Sequence, residues 1–407
     1  MTKFRVLIVE DDIAGLAELM RDRLQGNYPD IEPVIASDAQ TVKKLLTQQR
    51  FHFISFDQHL PEFHEDQVST LFGRQLVKQV HAAYPLTGGC IYTAYGENDV
   101  KILLNAGKFF YEYLDKRQVS IEQWAKKIGD WLYNQYLACY FESGQHYLPP
   151  GLADTAGFLH NATINKQQPE QVRHSIDFWD MVLRLSVAQM MGLARHYDQA
   201  ISISRLGSLE TILRMLDTRV PQLAKGGRLR CWNPYLGAQG EGKGWQALHS
   251  LDAIRRIRNE HVHGKTPENW SDVHHRITEH MLVLTDLAAF WADFPLINFD
   301  QQGQCRIVRG SAYPFPQHNT QLSKPDDTRP EHIFLSWREA GADEIILIKL
   351  WPYVQLRWQP ALNRSVVCVV SHYYDKHHKR IWYEINLHNG RQQMFQPTEE
   401  EAKILCG

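Results

Sequence analysis

The stretch Phe4-Arg5-Val6-Leu7-Ile8-Val9-Glu10-Asp11-Asp12 decides the N-terminal fold. It is a short, continuous apolar run that stops at three acids. A run this short, followed at once by polar residues, reads as a strand covered on both faces, the kind found in parallel sheets. A second such run, Phe51-His52-Phe53-Ile54-Ser55-Phe56, stops at Asp57. Further runs lie at 32–36, at 88–92 before Thr93, and at 109–113 shortly before Lys116, with helical patterns through Leu24 and over 39–49. Strands alternating with helices predict a doubly wound parallel sheet, whose ligand site lies off the carboxyl ends of its strands. Those ends carry Glu10, Asp11, Asp57, Thr93 and Lys116. Acids that merely solvate a sheet edge would account for one or two of these residues, not for five in this order. Carboxylates gathered at one place repel unless a divalent cation sits among them. All-oxygen ligands suit Mg²⁺, which keeps waters and shares a phosphate. The Lys and the Thr can then hold phosphoryl oxygens.

These residues, as ordered, resemble the receiver domain of two-component response regulators, a flavodoxin-like (βα)5 fold, here over 1–140. The resemblance implies that Asp57 is the phosphoacceptor, phosphorylated by a cognate histidine kinase. It makes Glu10 and Asp11, with Asp57, the Mg²⁺ ligands, Thr93 the switch hydroxyl, Tyr113 the aromatic switch and Lys116 the conserved-type lysine. Ala106-Gly107 matches the usual small pair. Two departures stand out. Arg117 occupies the place where the family has Pro after the Lys, which puts the cis peptide usual there in question. The loop from Pro61 to Gly73 is long and acidic, with Glu62, Glu65 and Asp66.

Composition sets the outer bounds. A chain of 407 residues is long for a single core and suggests about two to four domains. A formal net charge of −2 gives no overall pull toward nucleic acid or membrane, so any RNA contact has to come from a local patch. Six cysteines without a CxxC pair argue against a disulfide framework or zinc knuckle and fit a reducing, cytoplasmic setting. No apolar run approaches the roughly 18 residues of a membrane span, and no signal peptide is expected.

Beyond the receiver-like part, 120–142 reads as one helix running on as a connector. Residues 145–296 then read as a four-helix bundle without strands, with helices at 175–196, 206–217, 245–261 and 271–294, the last capped by Ser271. A glycine-rich basic loop with Lys225, Arg228, Arg230 and Lys243 spans 221–244. The third helix ends in Ile254-Arg255-Arg256-Ile257-Arg258-Asn259-Glu260-His261-Val262-His263-Gly264. A permanent cation beside an imidazole suits phosphodiester chemistry: the His moves protons and the Arg holds phosphate oxygens. An unbroken helix would turn Arg258 and His263 about 140° apart. They converge only if the chain bends near Gly264 or if two chains complete the site. The plainer reading is a basic helix end suited to the macrodipole, with Gly as terminator.

Arg258-Asn259-x-x-x-His263 late in a bundle's third helix resembles the signature of the HEPN superfamily, which includes many prokaryotic ribonucleases. The resemblance implies Arg258 and His263 as a catalytic pair oriented by Asn259, with no role for His261. It implies RNA cleavage by 2′-hydroxyl attack with no metal cofactor, a homodimer pairing two motifs across a two-fold axis, and a stress or phage-defence setting. The alternative is a non-catalytic HEPN-like module binding nucleotide, RNA or a partner protein under receiver control. A DNA-binding transcription factor is a weaker third, because no basic helix-turn-helix follows the receiver-like part.

The remainder reads as a linker over 297–330 and a small antiparallel β module over 331–407. The β runs lie at 344–358, 366–372, 380–387 and 391–395, with a turn at His388-Asn389-Gly390. Exposed-looking aromatics (Trp351, Tyr353, Trp358, Tyr373, Tyr374, Trp382) and the basic run 376–380 could hold single-stranded RNA. They could equally mark a solvated turn or a protein-docking face.

Overall fold

A computed structural model describes residues 3–63, 67, 69–94, 111–196, 235, 246–262, 269–310, 322–338, 345–359, 364–370, 383–386 and 392–406. The chain divides into two compact units, Met1–Ser143 and Gly144–Gly407.

In the first unit, strands β1 (Phe4–Val9), β2 (Ile31–Ala36), β3 (Phe53–Phe56), β4 (Gly88–Thr93) and β5 (Tyr111–Asp115) form one sheet in the order β2-β1-β3-β4-β5. Every pairing in it is parallel. This is the flavodoxin-type order. The apolar runs are buried as a parallel sheet requires: Val6, Leu7, Ile8, Phe53, Ile54 and Phe56 are inaccessible to solvent.

Helices α1 (Glu18–Asn27), α2 (Ala39–Gln48), α3 (Thr70–Ala83) and α4 (Ile121–Asn134) accompany the sheet, a π-helical turn at Ile13–Ala17 leading into α1. Asp38 caps α2 by accepting from Thr41 N at 2.7 Å. Ser120 and Gln123 close a capping box at the start of α4. The helix expected over 120–142 stops at Gln135 and restarts as α5 (Tyr136–Tyr147). The apolar pattern runs through this break because Trp131, Leu132 and Tyr136 are all buried, so periodicity alone does not reveal it.

In the second unit, α6 (Leu152–Ile164), α7 (Gln168–His196), α8 (Gln246–Val262) and α9 (Trp270–Asp293) pack together, α7 touching the other three. The expected helix at 206–217 lies outside the described residues. Helix α6 escapes sequence reading because its residues are buried on nearly every side, which leaves no amphipathic contrast. The cap of α9 is Asn269, whose Oδ1 accepts from Ser271 N at 3.0 Å, rather than Ser271 itself.

The stretch expected as a linker carries two paired strands, β6 (Leu296–Phe299) and β7 (Cys305–Val308). With β8 (Ile333–Arg338) and β9 (Ile345–Lys349) they form an antiparallel sheet in the order β7-β6-β8-β9. The single run expected at 344–358 breaks at Leu350–Tyr353, so that β10 (Val354–Gln359) enters a second antiparallel sheet. That sheet has the order β10-β11-β12-β13, with β11 (Arg364–Val370), β12 (Tyr383–Asn386) and β13 (Gln392–Phe395). A closing helix, α10 (Glu399–Cys406), was not expected. Trp351 and Tyr353 are buried at the crossover, while Trp358 is 60% exposed. Tyr373, Tyr374, Trp382, the basic run 376–380 and the turn at 388–390 lie outside the described residues. Among the described residues no helix is long and apolar enough to cross a membrane.

Candidate metal centre

Register builds the site. Val9 pairs with Phe56, so the next residues, Glu10 and Asp57, emerge side by side at the carboxyl ends of the central strands. Asp57 N donates to Val9 O at 2.8 Å, and Glu10 N donates to Ala36 O at 3.0 Å. The chain leaves β1 for β2 on one side and reaches β3 on the other, so this is the topological switch point of the sheet. Carboxylate oxygens of Glu10, Asp11 and Asp57 lie within 4.8 Å of one another. Asp12 stands apart from the trio because its side chain accepts from Gly15 N and Leu16 N, capping the turn into α1.

Lys116 closes the site from β5. Its Nζ is 2.5 Å from Asp57 Oδ2 and 2.6 Å from Glu10 Oε2. The other oxygen of Asp57, Oδ1, accepts from His59 N at 3.1 Å. Lys116 N donates to Thr93 O at 3.0 Å, which ties the lysine's strand to the threonine's. Thr93 is inaccessible to solvent. Tyr113 pairs in register with Ile91 and packs half-buried against the core on that face of the sheet.

Burial sets the electrostatics. It pushes the Glu10 carboxyl up to about 7; Asp57 and Asp11 push the same way, and the Lys116 ammonium opposes them. Burial also works against the Lys116 charge, but Asp57 and Glu10 outweigh it and hold the ammonium above its ordinary range. Three hard oxygen donors this close, one already driven toward protonation, suit a small divalent cation such as Mg²⁺.

Arg117 turns back onto Asp115, with Nη2–Oδ2 at 2.6 Å and Nε–Oδ1 at 2.9 Å, and the Lys116–Arg117 peptide is trans. The loop after Asp57 is held at both ends. Leu60 and Ser69 form an antiparallel bridge, and a Cβ on Gly73 would stand 2.2 Å from Gln58 O, so only glycine lets α3 approach that closely. Residues 64–66 and 68, including Glu65 and Asp66, lie outside the described residues, as does Ala106-Gly107.

Three contributors went unnoticed in the sequence. The Tyr92 ring lies 5.7 Å from Lys116 Nζ, and its hydroxyl donates to Val119 O at 3.0 Å. Trp124 stacks on Tyr92 and donates from Nε1 to Ser55 Oγ at 3.0 Å. Ser55, two residues before Asp57, also takes a contact from Cys90 Sγ at 3.4 Å. A serine inside an apolar strand was the available signal.

The second expected site is only partly described. Arg258 and Asn259 stand on α8, where Arg258 Nη1 donates to Asn259 Oδ1 at 3.3 Å. His263 lies outside the described residues, as does 221–244 apart from Tyr235. The neighbouring arginines are committed elsewhere: Arg255 Nε to Asp252 Oδ1 at 2.8 Å and Arg256 Nη2 to Asp252 Oδ2 at 2.8 Å.

No family model and no curated protein matches the chain. Among solved structures, the N-terminal third is similar to a CheY-like response regulator receiver domain protein from Methanospirillum hungatei JF-1. That similarity has 25% identity, 33% of this chain, 97% of that one and a TM-score of 0.28. The signal receiver domain of an HD domain-containing protein from Pseudomonas fluorescens Pf-5 matches at 20% identity, over 33% of this chain and 98% of the other, with a TM-score of 0.28. The response regulator TrrA from Thermotoga maritima, in complex with Mg²⁺ and BeF, matches at 18% identity over 31% and 96%, with a TM-score of 0.25. The matches leave the rest of the chain uncovered.

Proposed function

We propose that the chain is a phosphorylation-controlled response regulator with Asp57 as phosphoacceptor. The observation that carries this is the bridging of Asp57 and Glu10 by Lys116 within a three-carboxylate cluster at a sheet switch point. An Asp57 oxygen attacks the phosphorus of a phosphohistidine on a histidine kinase, or of a small acyl phosphate. The Asp57 O–P bond forms as the donor's bond to phosphorus breaks, and the donor leaves with the electron pair. Glu10, Asp11 and Asp57 hold Mg²⁺, which when bound offsets the phosphoryl charge. Lys116 and the Thr93 hydroxyl take phosphoryl oxygens, and Tyr113 follows Thr93 inward. Incubation with acetyl phosphate and Mg²⁺ should add one phosphoryl mass to the intact protein and none to Asp57→Asn. Mass gain in that variant, or none in the unmutated chain, refutes the assignment.

For the effector we propose a metal-independent HEPN-type endoribonuclease in a stress or phage-defence role, with Arg258 and His263 as the reacting pair and Asn259 orienting them. Support comes from the Arg258–Asn259 hydrogen bond on α8, which holds the guanidinium beside the residue meant to orient it. The 2′-hydroxyl attacks the neighbouring phosphate, the 5′-oxygen of the next nucleotide leaves with a proton, and a 2′,3′-cyclic phosphate remains. A homodimer would bring two motifs together, and phosphorylation would govern that pairing. RNA cleavage in EDTA that is lost in His263→Ala, with and without phosphorylation, tests this. RNA binding without cleavage would favour the non-catalytic module instead.

A further inference from the structure

In the second unit, three cationic side chains from three separate segments gather round one tryptophan. Lys349 Nζ at the end of β9 lies 5.5 Å from the centroid of the Trp351 ring; Arg195 Cζ near the end of α7 and Arg329 Cζ each lie 6.0 Å from it. Arg195 also donates to Trp351 O at 3.2 Å. Like charges placed this close repel, and partial burial of Lys349 removes the water that would screen them. Arg329 has carboxylate partners: Glu400 at 3.1 Å and the half-exposed Glu331 at 3.9 Å. Asp327, exposed, adds a more distant negative charge. Among the described residues, neither Arg195 nor Lys349 has a carboxylate within ion-pair distance. Burial, then Arg195 and Arg329, holds the Lys349 ammonium below its ordinary range despite Asp327 and Glu331.

One buried donor lies beside the same tryptophan, and its cross-strand neighbour carries another. The ring of His332, 2% exposed, lies 5.1 Å from that of Trp351. Its Nδ1 accepts from Arg329 N at 3.1 Å, so the neutral imidazole carries its proton on Nε2. That Nε2–H is buried with no acceptor among the described residues. Gln355, bridged to His332 across an antiparallel pair and 1% exposed, has a second buried donor without an acceptor, Nε2. A buried donor without an acceptor calls for a partner such as an ordered water or a bound ion. Two of them next to surplus positive charge call for an anion with several acceptor oxygens.

We propose that Arg195, Arg329 and Lys349, with the N–H donors of His332 and Gln355, form a binding site for a phosphate group. Glu400 and Glu331 both pair with Arg329, so Arg195 and Lys349 are the cations without an ion-pair partner among the described residues, and two such cations match a phosphate dianion better than a single carboxylate. Trp351 as a whole is 5% exposed, too little for a base to stack on it, so the recognition proposed is of the phosphate alone. A free phosphate ester and the backbone of a nucleic acid would present the same chemistry.

The test is equilibrium dialysis of the full chain in EDTA, which disables the Glu10–Asp57 centre. The probes are radiolabelled orthophosphate and a short single-stranded RNA, run beside Arg195→Gln and Lys349→Gln. Arg195 is exposed, and circular dichroism confirms that each variant is folded before binding is compared. The His332 Nε2–H proton resonance, assigned with His332→Gln, reports occupancy directly. Saturable orthophosphate binding that shifts this resonance and weakens about tenfold in each variant is the expected result. Binding of RNA alone, with the same losses and the same shift, also supports the site and makes the polymer the source. No binding of either probe, or binding unchanged in both variants, overturns the proposal and leaves the cluster as a cation–π staple.

Discussion

Glu10→Gln isolates what the carboxylate cluster costs. Glu10 is 3% exposed and its carboxyl is pushed from 4.5 to about 7. The folded state therefore binds this proton more tightly than the unfolded chain does. Its contribution to stability is fully present below pH 4.5 and is lost as pH rises through about 7. The displacement corresponds to about 3 kcal/mol. Glutamine keeps the shape and can still accept from Lys116, which retains its pair with Asp57, but it does not titrate. In EDTA the stability of Glu10→Gln relative to the unmutated protein should therefore rise by about 3 kcal/mol between pH 4.5 and 8. Hydrogen exchange of β1 and β3 amides, corrected for intrinsic rate at each pH, reads this within the first unit. Mg²⁺ should protect the unmutated protein at pH 8 and protect the variant less, since one ligand has gone. Parallel pH profiles for the two proteins would refute the reasoning, because Glu10 would then not be held protonated by its surroundings.

Trp124→Phe removes the indole donor to Ser55 and should cost about 1–3 kcal/mol, with the double variant Trp124→Phe/Ser55→Ala costing less than the two single costs combined; urea denaturation measures both. Gly129→Ala would place a Cβ 2.1 Å from Tyr28 Cε2, so despite alanine's better helix propensity it should destabilise by about 1–3 kcal/mol, read as a lowered midpoint. His332 is pushed down from 6.5 to about 4, by burial and then by Lys349 and Arg329, so it adds stability above pH 6.5 that is lost as pH falls through 4. About 3 kcal/mol of acid sensitivity should disappear in His332→Gln, seen as a shallower acid limb in stability against pH. Asn269→Ala should cost about 0.5–2 kcal/mol through loss of the α9 cap, and Ser271→Ala much less, as a denaturant series would show.

The first unit was legible because its signals are local. A strand buried on both faces needs a mostly apolar run, and Phe4–Val9 and 51–56 are such runs. The carboxyl ends of these parallel strands lie along one edge of the sheet, so Glu10, Asp57, Thr93 and Lys116 could be placed together from position alone. Contacts across the sheet could not. Trp124 reaches Ser55 over 69 positions, and nothing near either residue announces the other.

In the second unit the balance reverses. Helix α6 is buried on nearly every side and shows no polar face, and β6 and β7 sit among Asp, Gln and Gly that imitate a linker. The run through Trp351 reads as one strand because hydrophobicity does not record which sheet a residue joins. Pairing with β8 on one side and β11 on the other divides it. By itself the sequence determined the parallel sheet and the order of charges along its edge, because alternation and burial are written within a few residues. Only the tertiary structure decided that Arg195, Arg329 and Lys349 share one tryptophan. That meeting joins a helix to a turn 156 positions away, and only the folded packing brings such distant charges together.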